Sequence, residues 1–563
     1  MPQRPLNTID LFAGCGGLMD GFEKEGAFRT LACVEWERAP CENLVHRLKS
    51  KWQHANAESE VVRFDIQRTE ELFAGFRDPE YGTRSGLDDL VKNRKVDILI
   101  GGPPCQAYSL AGRIRDENGM RNDYRNYLFE SYLKVVDRYK PDFFLFENVV
   151  GLLSAAPDGT PIVDRIRQSF NDAGYGVIDS FEGAVFNLPE FGIPQNRKRI
   201  IILGVRKESF ANWRDIIADF YGRIMPSFHS AAVTVEEAIG DLPKYQPLVV
   251  NGRVVYAPMS PVRIANHIPR AQSVRDVKVF KLLTEDIESG RKQYVSIDAL
   301  KRLYTETTGK VSNIHKYYVL RRDEQSNTIP AHLFKDGLRH IHPDSVQCRT
   351  LTVREAARLQ TFDDDYEFIG SMADAYKMIG NAVPPRFSLL LARAMREVYE
   401  RYGNVELMPP NADIRPDEHV HSLPYQMMLF EASVAPAAYA GLPTLMATYR
   451  QSCREWIEKK LRYNYPIDPE DKTVLERLRR VKRIVLVRRT DKPMMFDTNG
   501  CKASVATKED LLKMGYPSGS NHSSKQLYLL FPLKRRNFLS PLFDPARFLI
   551  RGIGTNRKSR KRK

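Results

Sequence analysis

Cys105 stands in the run Gly101-Gly102-Pro103-Pro104-Cys105-Gln106, directly after the apolar stretch Val96 to Ile100. A thiol on a loop that ends a buried strand sits where α/β enzymes display catalytic groups. The two prolines fix successive φ angles at about −65° and remove two backbone donors, while the glycines before them permit a sharp turn. Such a loop holds a nucleophile still. A lone cysteine is more often a small buried hydrophobe, so partners elsewhere must decide. Three are candidates: Glu147-Asn148-Val149 follows the apolar run Phe143 to Phe146, Gln195-Asn196-Arg197-Lys198-Arg199 precedes another strand, and Gly380-Asn381-Ala382-Val383-Pro384-Pro385 precedes the last helix. Alone, Glu147 reads equally well as a surface carboxylate, and Arg197 with Arg199 as a solvated charge run. Several strand-end motifs in one chain argue instead for a thiol, a carboxylate and two arginines lying where ligands bind such sheets.

A second group points to a bound nucleoside. The first strand ends in Asp10-Leu11-Phe12-Ala13-Gly14-Cys15-Gly16-Gly17-Leu18, a glycine-rich turn into a helix. Glu35 lies 21 residues after Gly14, where a carboxylate can accept both hydroxyls of a ribose, and Trp36 beside it offers a face for an adenine. Asp65 closes the third strand and can take an adenine amino group. The turn lacks the Lys and Ser/Thr of a phosphate loop, which favours a nucleoside cofactor without a triphosphate.

Positioning these residues requires a sheet. β-branched and aromatic runs at Thr8 to Phe12, Thr30 to Val34, Val61 to Phe64, Val96 to Ile100, Asp142 to Phe146, Val177 to Phe186 and Arg199 to Val205 alternate with helical patterns such as Tyr124 to Tyr139 and Ile162 to Ala173. This predicts a doubly wound α/β catalytic domain over residues 1–205 with a mainly parallel sheet. From 206 to 348 the pattern is irregular, with short strands expected at Leu248 to Val250 and Val254 to Tyr256, and reads as a smaller, loop-rich domain. Regularity returns over 349–407, with a helix capped near Thr352 (Glu355 three residues on) and another from Arg386 to Tyr402. A Pro-rich stretch from Met408 then leads into residues 411–563, which hold 30 Lys+Arg against 15 Asp+Glu and so carry the whole +15 charge of the 563-residue chain. A basic extension beside a neutral body suggests a polyanion partner, although a solvated surface reads equally well.

No apolar run approaches a membrane span, and no cleavable leader is evident. Seven cysteines without a C-x-x-C pair suggest neither a zinc ribbon nor a disulfide framework, which fits a reducing compartment. His332, His340 and His342 lack cysteine or carboxylate support at ligand spacing, so no metal is expected.

Taken together, residues 6–205 and 325–400 resemble the DNA (cytosine-5) methyltransferases, most closely the modification enzymes of bacterial restriction systems. The resemblance implies S-adenosyl-L-methionine as methyl donor, held by Phe12, Gly14, Gly16, Glu35, Trp36, Asp65, Ile66, Pro104, Leu128, Asn381 and Val383. It implies Cys105 as nucleophile toward C6 of cytosine, Glu147 as the acid on the base, and Arg197 and Arg199 as a basic pair near it. Arg349-Thr350-Leu351-Thr352 through Phe362 matches a scaffold motif of the family, with Asp363 where a proline is usual. The irregular region 206–348 becomes a target-recognition domain, in which Arg253, Arg263, Arg270, Arg275, Arg321 and Arg322 are candidates for phosphate or guanine contacts. Double-stranded DNA is the implied partner, approached by a monomer in the bacterial cytoplasm (a nucleus if the source is eukaryotic), with any cognate endonuclease acting separately. Amino-directed methyltransferases use an Asp/Asn/Ser-Pro-Pro-aromatic loop, which Gly-Pro-Pro-Cys does not match. Two rivals stay open, transfer to cytosine in transfer RNA and a DNA-binding module with a dead pocket.

Overall fold

Strand β1 (Leu6–Leu11) is buried at nearly every position, as a central strand covered on both faces must be. A computed structural model describes residues 4–104, 128–156, 161–335, 337–403 and 407, together with strand backbone at 483–486, 497–498, 501–502, 504–506, 526–532 and 553–554. Among the described residues β1 joins β2 (Phe28–Glu35), β3 (Val61–Arg63), β4 (Ile98–Gly101), β5 (Phe143–Val149), β6 (Tyr175–Gly176), β7 (Val185–Asn187) and β8 (Lys198–Arg206) in one eight-stranded sheet of order β3-β2-β1-β4-β5-β8-β6, with β7 also pairing β8. The pairs from β3 to β5 are parallel, and β8 runs antiparallel to β5, β6 and β7. The doubly wound, mainly parallel α/β class expected from the sequence is what the chain adopts.

Alternation along the strands divides the core between the two faces. Leu99, Phe144, Phe146, Ile200 and Ile202 face helices α3 (Leu128–Tyr139) and α4 (Ile162–Asp172). Ile98, Ile100, Phe143, Leu145, Ile201 and Leu203 face α1 (Gly17–Glu25) and α9 (Pro385–Tyr402). Each such large apolar side chain contributes roughly 1.5–3 kcal/mol by leaving water. The approach of α1 to α9 is close enough that a Cβ at Gly21 would lie 2.4 Å from the Leu389 amide nitrogen.

Two expectations need correction. The run Val177 to Phe186 is not one strand: a short 3₁₀ turn, Phe181–Ala184, interrupts it, and only Val185–Asn187 joins β8. Asp179, Ser180 and Gly183 are turn formers that outweigh the flanking apolar residues. The irregular region also starts later than residue 206, because Ile216, Ile217, Phe220, Ile224 and Met225 pack into the core between the sheet and α9. Beyond them a hairpin pairs Tyr245–Val250 with Arg253–Pro258. Two regular helices follow, α5 (Val274–Glu288) and α6 (Ile297–Thr308), around Phe280, Leu283, Leu300, Leu303 and Tyr317.

The return segment supplies α7 (Val353–Leu359), α8 (Met372–Asn381) and α9. Thr352 and Glu355 form the reciprocal capping box expected at the start of α7. A separate unit, Pro424–Lys563, has Arg483–Leu486 and Ser504–Ala506 each antiparallel to Gln526–Pro532. No described helix is long and apolar enough to cross a membrane.

Candidate active site

Register brings three strand ends together. Leu11 of β1 pairs Gly101 of β4, and Gly101 pairs Phe146 of β5, so Phe12, Gly102 and Glu147 follow one another along the rim. A cavity of about 380 Å³ opens there, within the range of small-ligand sites. Its walls include Asp10, Phe12, Gly14, Glu35, Trp36, Asp65, Ile66, Pro104, Leu128, Glu147, Arg197, Arg199, Asn381 and Val383. Every expected site residue except Gly16 and Cys105 therefore faces one space. Gly16 lies just behind the wall at the start of α1, in the left-handed conformation at φ 86°. Cys105 and residues to 127 lie outside the described residues.

The turn from β1 into α1 is shaped by its glycines. Gly14 at φ 56° and Gly16 at φ 86° adopt conformations that side chains disfavour. Phe12 shares that region at φ 56° without being glycine, a strained backbone of the kind that clusters at ligand sites. A Cβ on Gly17 would lie 2.3 Å from the Val383 carbonyl oxygen, so only glycine lets the segment before α9 close over the turn. Glu35 anchors the other side: its Oε2 accepts from the Gly14 amide (2.9 Å), and its Oε1 accepts from the amides of Trp36 (2.9 Å) and Glu37 (2.8 Å). Burial pushes its pKa up and the amides oppose that. A carboxylate has about four acceptor sites, so Glu35 keeps capacity for a further donor. Asp10 accepts from the Met19 amide (3.2 Å) through one oxygen, while its other oxygen is buried without a hydrogen-bond partner, and burial pushes its pKa well up. Trp36 is half exposed, and Lys377 of α8 pairs with Glu37 at 2.6 Å beside it. This donor set, carboxylates with spare acceptors beside an open aromatic face, fits a nucleoside carrying positive charge.

On the opposite wall Glu147 forms an ion pair with Arg199, Oε1 to Nε at 2.7 Å, with both side chains largely buried. Burial lowers the pKa of Arg199 and Glu147 opposes this. A Cβ at Gly102 would fall 2.5 Å from Glu147 Oε2, so the glycine clears room for the carboxylate. Asn148 donates to the Pro103 carbonyl (3.4 Å) and accepts from the Val149 amide (2.8 Å), tying the Gly-Pro-Pro loop to β5.

Arg197 and Arg199 are near each other but engaged differently. Arg197 is 3% exposed, and its guanidinium donates to the carbonyls of Ala382 (3.0 Å), Gly380 (3.5 Å) and Ile329 (3.5 Å), with Nε buried and unpaired. Burial pulls its pKa well down, Arg199 adds to this, and the more distant Glu147 opposes it. Arg197 bolts the irregular region, at Ile329, to the end of α8, whereas Arg199 pairs with Glu147.

The described cysteines are poor candidates for a nucleophile. Cys15, Cys33, Cys41 and Cys348 are all buried. Burial raises each thiol, that of Cys15 to about 12 and that of Cys348 to about 11, so none is a ready thiolate. The arginines of the irregular region also sort. Arg270 donates to the carbonyls of Leu333 (3.0 Å) and Phe334 (3.2 Å), Arg263 to those of Ser260 (2.7 Å) and Val262 (2.9 Å). Arg322 pairs with Glu236 (2.7 Å) and Arg275 with Asp276 (3.0 Å). Arg321 faces the Tyr318 ring, and Arg253 is exposed at the hairpin tip. His340 lies against the Thr328 carbonyl, and His342 accepts from the Asp344 amide (3.2 Å) beside Glu355. Burial lowers these imidazoles to about 4 and about 3.

Sequence reasoning missed Asp374, Lys377 and Met378, which line the cavity from α8. The cap Ser371, whose Oγ accepts from the Asp374 amide, was the available signal.

Comparison with known proteins bears on this geometry. A family model described as C-5 cytosine-specific DNA methylase matches residues 6–397. Type II methyltransferase M.Bpa9945I of Bacillus paralicheniformis is 33% identical over 449 residues, covering 69% of this chain and 98% of that protein. Type II methyltransferase M.PspPI of a Psychrobacter species is 30% identical over 397 residues, covering 70% of this chain and 80% of that protein.

Proposed function

The chain belongs to the C-5 cytosine-specific DNA methylases, and from that membership we propose a specific reading: methyl transfer from S-adenosyl-L-methionine to C5 of a cytosine flipped out of a specific duplex site, through a covalent Cys105–C6 adduct. Its role is the modification enzyme of a restriction system, as the names of its type II relatives suggest.

Carbon C5 of cytosine is too weak a nucleophile to take a methyl group unaided. Addition of the Cys105 thiolate to C6 places electron density on C5. A free thiol has a pKa of about 8.5, and nearby positive charge raises the thiolate fraction. Glu147 hydrogen-bonds N3 and the exocyclic amine, which both selects cytosine and stabilises the enamine-like ring. Arg199 holds Glu147 in place. The bound donor supplies a methyl group on a positively charged sulfur. Glu35 accepts ribose hydroxyls, Asp65 an adenine amine, and Trp36 covers the base. Loss of the C5 proton and departure of Cys105 restore the ring. Because the target carbon lies inside a stacked duplex, the base must swing out into the cavity, and the recognition region, from the Tyr245–Pro258 hairpin to residue 348, contacts the DNA around it.

One observation carries the reading: the glycine turn with Glu35 and Asp65, and the Gly-Pro-Pro loop with Glu147 and Arg199, are walls of the same cavity. The test is transfer of a labelled methyl group to unmethylated DNA and, in parallel, to transfer RNA, with wild type and Cys105→Ala. Label at C5 of cytosine in DNA, lost in the variant, is expected. Label only in transfer RNA, or label retained by Cys105→Ala, would overturn it.

A further inference from the structure

Asp363 lies in a loop that reaches across the fold to the glycine turn. Asp363 pairs through both oxygens with Lys24 of α1 (2.7 and 3.0 Å). Two residues on, Asp365 accepts from Arg47 (2.8 Å) and Lys51 (2.6 Å) of α2 (Arg38–Ser50). The Ile369 amide and carbonyl form a reciprocal pair with the Asn43 side chain, both at 3.0 Å. Between them the Tyr366 hydroxyl donates to the Cys15 carbonyl at 2.5 Å. Tyr366 is 1% exposed, and the Arg47 guanidinium covers its ring at 4.9 Å while also binding Asp20 of α1 at 2.6 and 3.1 Å. The loop is itself pinned, since Arg354 donates to the Asp363 (2.9 Å) and Tyr366 (2.7 Å) carbonyls.

The consequence falls on a single peptide. The Cys15–Gly16 unit has its carbonyl on Tyr366 and its N–H on the Ala13 carbonyl (2.8 Å), so its plane is held at both ends. It lies in a turn flanked by Gly14 and Gly16, both at positive φ, which glycine alone leaves free to rearrange. We propose that residues 363–369 form a clasp that fixes the glycine turn in its donor-binding shape, with Tyr366 as the positioning residue and the Lys24–Asp363 ion pair as its fastening. The clasp rests on the reading of that turn as the S-adenosyl-L-methionine site. Tyr366 does not itself line the cavity and acts through Cys15.

The test is calorimetric binding of S-adenosyl-L-methionine to the full chain, with steady-state kinetics alongside. Tyr366→Phe keeps the ring and removes the hydroxyl. Its Kd and KM for the donor are expected to rise about tenfold, the scale of one lost buried hydrogen bond, with the DNA KM unchanged and kcat at saturating donor within about twofold. A purely structural tyrosine would lower Tm and the active fraction and leave the donor Kd where it was. Asp363→Asn should weaken donor binding about threefold at low salt, and 1 M salt should erase the difference from wild type. Should Tyr366→Phe fail to fold, the Asp363→Asn result decides: an unchanged Kd, or a deficit indifferent to salt, overturns the clasp. Wild type that binds no donor overturns the parent reading and the clasp with it, whereas wild type and Tyr366→Phe binding equally well overturn the clasp alone.

Discussion

Glu35 and Glu147 line the same cavity, yet Glu35 is held by three backbone amides, the farthest of them 21 residues away, whereas Glu147 meets the guanidinium of Arg199 across an antiparallel strand pair. Backbone amides orient a carboxylate through geometry that no single side-chain substitution removes. A buried ion pair does it through two side chains, either of which can be lost, leaving the other charged and unpaired. In the proposed donor half of the cavity the carboxylate is thus held by main chain. The base half depends on β4, β5 and β8 arriving in register. The two halves should fail differently.

The largest expected effect is at Glu147. Glu147→Gln keeps an acceptor for Arg199 but removes the acid, and should lower kcat by about 10²–10⁴-fold with the donor Kd unchanged. A parallel loss of donor binding would mean the halves are not separable. Gly102→Ala comes next: its Cβ, 2.5 Å from Glu147 Oε2, must push the carboxylate or the Gly-Pro-Pro loop aside. An expected loss of roughly 10²-fold in kcat, again without a donor effect, reflects displacement of about an ångström. Unimpaired turnover would show that Glu147 has slack the geometry does not suggest. Glu35→Gln inverts the pattern, since an amide cannot accept three N–H bonds as a carboxylate does. The donor Kd should rise about tenfold, read by calorimetry, while DNA binding stays the same.

The smallest effect concerns stability beneath the donor half. His54 is 1% exposed, with Nδ1 2.7 Å from Glu60 and Nε2 3.3 Å from Glu23. Burial opposes its charge, but Glu23 and then Glu60 outweigh it and lift the pKa to about 9. A folded pKa above the unfolded value of about 6.5 means this stabilisation is complete below that pH and is lost as pH rises through about 9. Tm should fall across that window, and His54→Gln should flatten the fall; an equally steep decline in the variant would assign it to other groups.

Much of the donor half was legible in the chain because its signals are local. The glycine turn, Glu35 and Asp65 follow their strands in order, and the capping box at Thr352 is a four-residue pattern. The helices α5, α6 and α8 were equally available from the caps Ser273, Ser296 and Ser371, each accepting the N3 amide, but mixed charge on the exposed faces masked their apolar spacing. The break at Phe181–Ala184 went unread because flanking β-formers outnumbered the turn residues.

Residue types and order thus determined the α/β class and named most of the residues that line the cavity, since these follow from strand ends and glycine positions that do not depend on partners. What each charged group does was decided only in three dimensions. Arg197 and Arg199, two residues apart on one strand approach, look interchangeable in the chain. Folding turns one onto the carbonyls of residues 329, 380 and 382 and the other onto Glu147. The same holds for Asp363, a loop irregularity in sequence that becomes a partner for Lys24 339 residues away. Charge acts over a few ångströms, and which charges stand that close is set by packing between segments far apart in the chain.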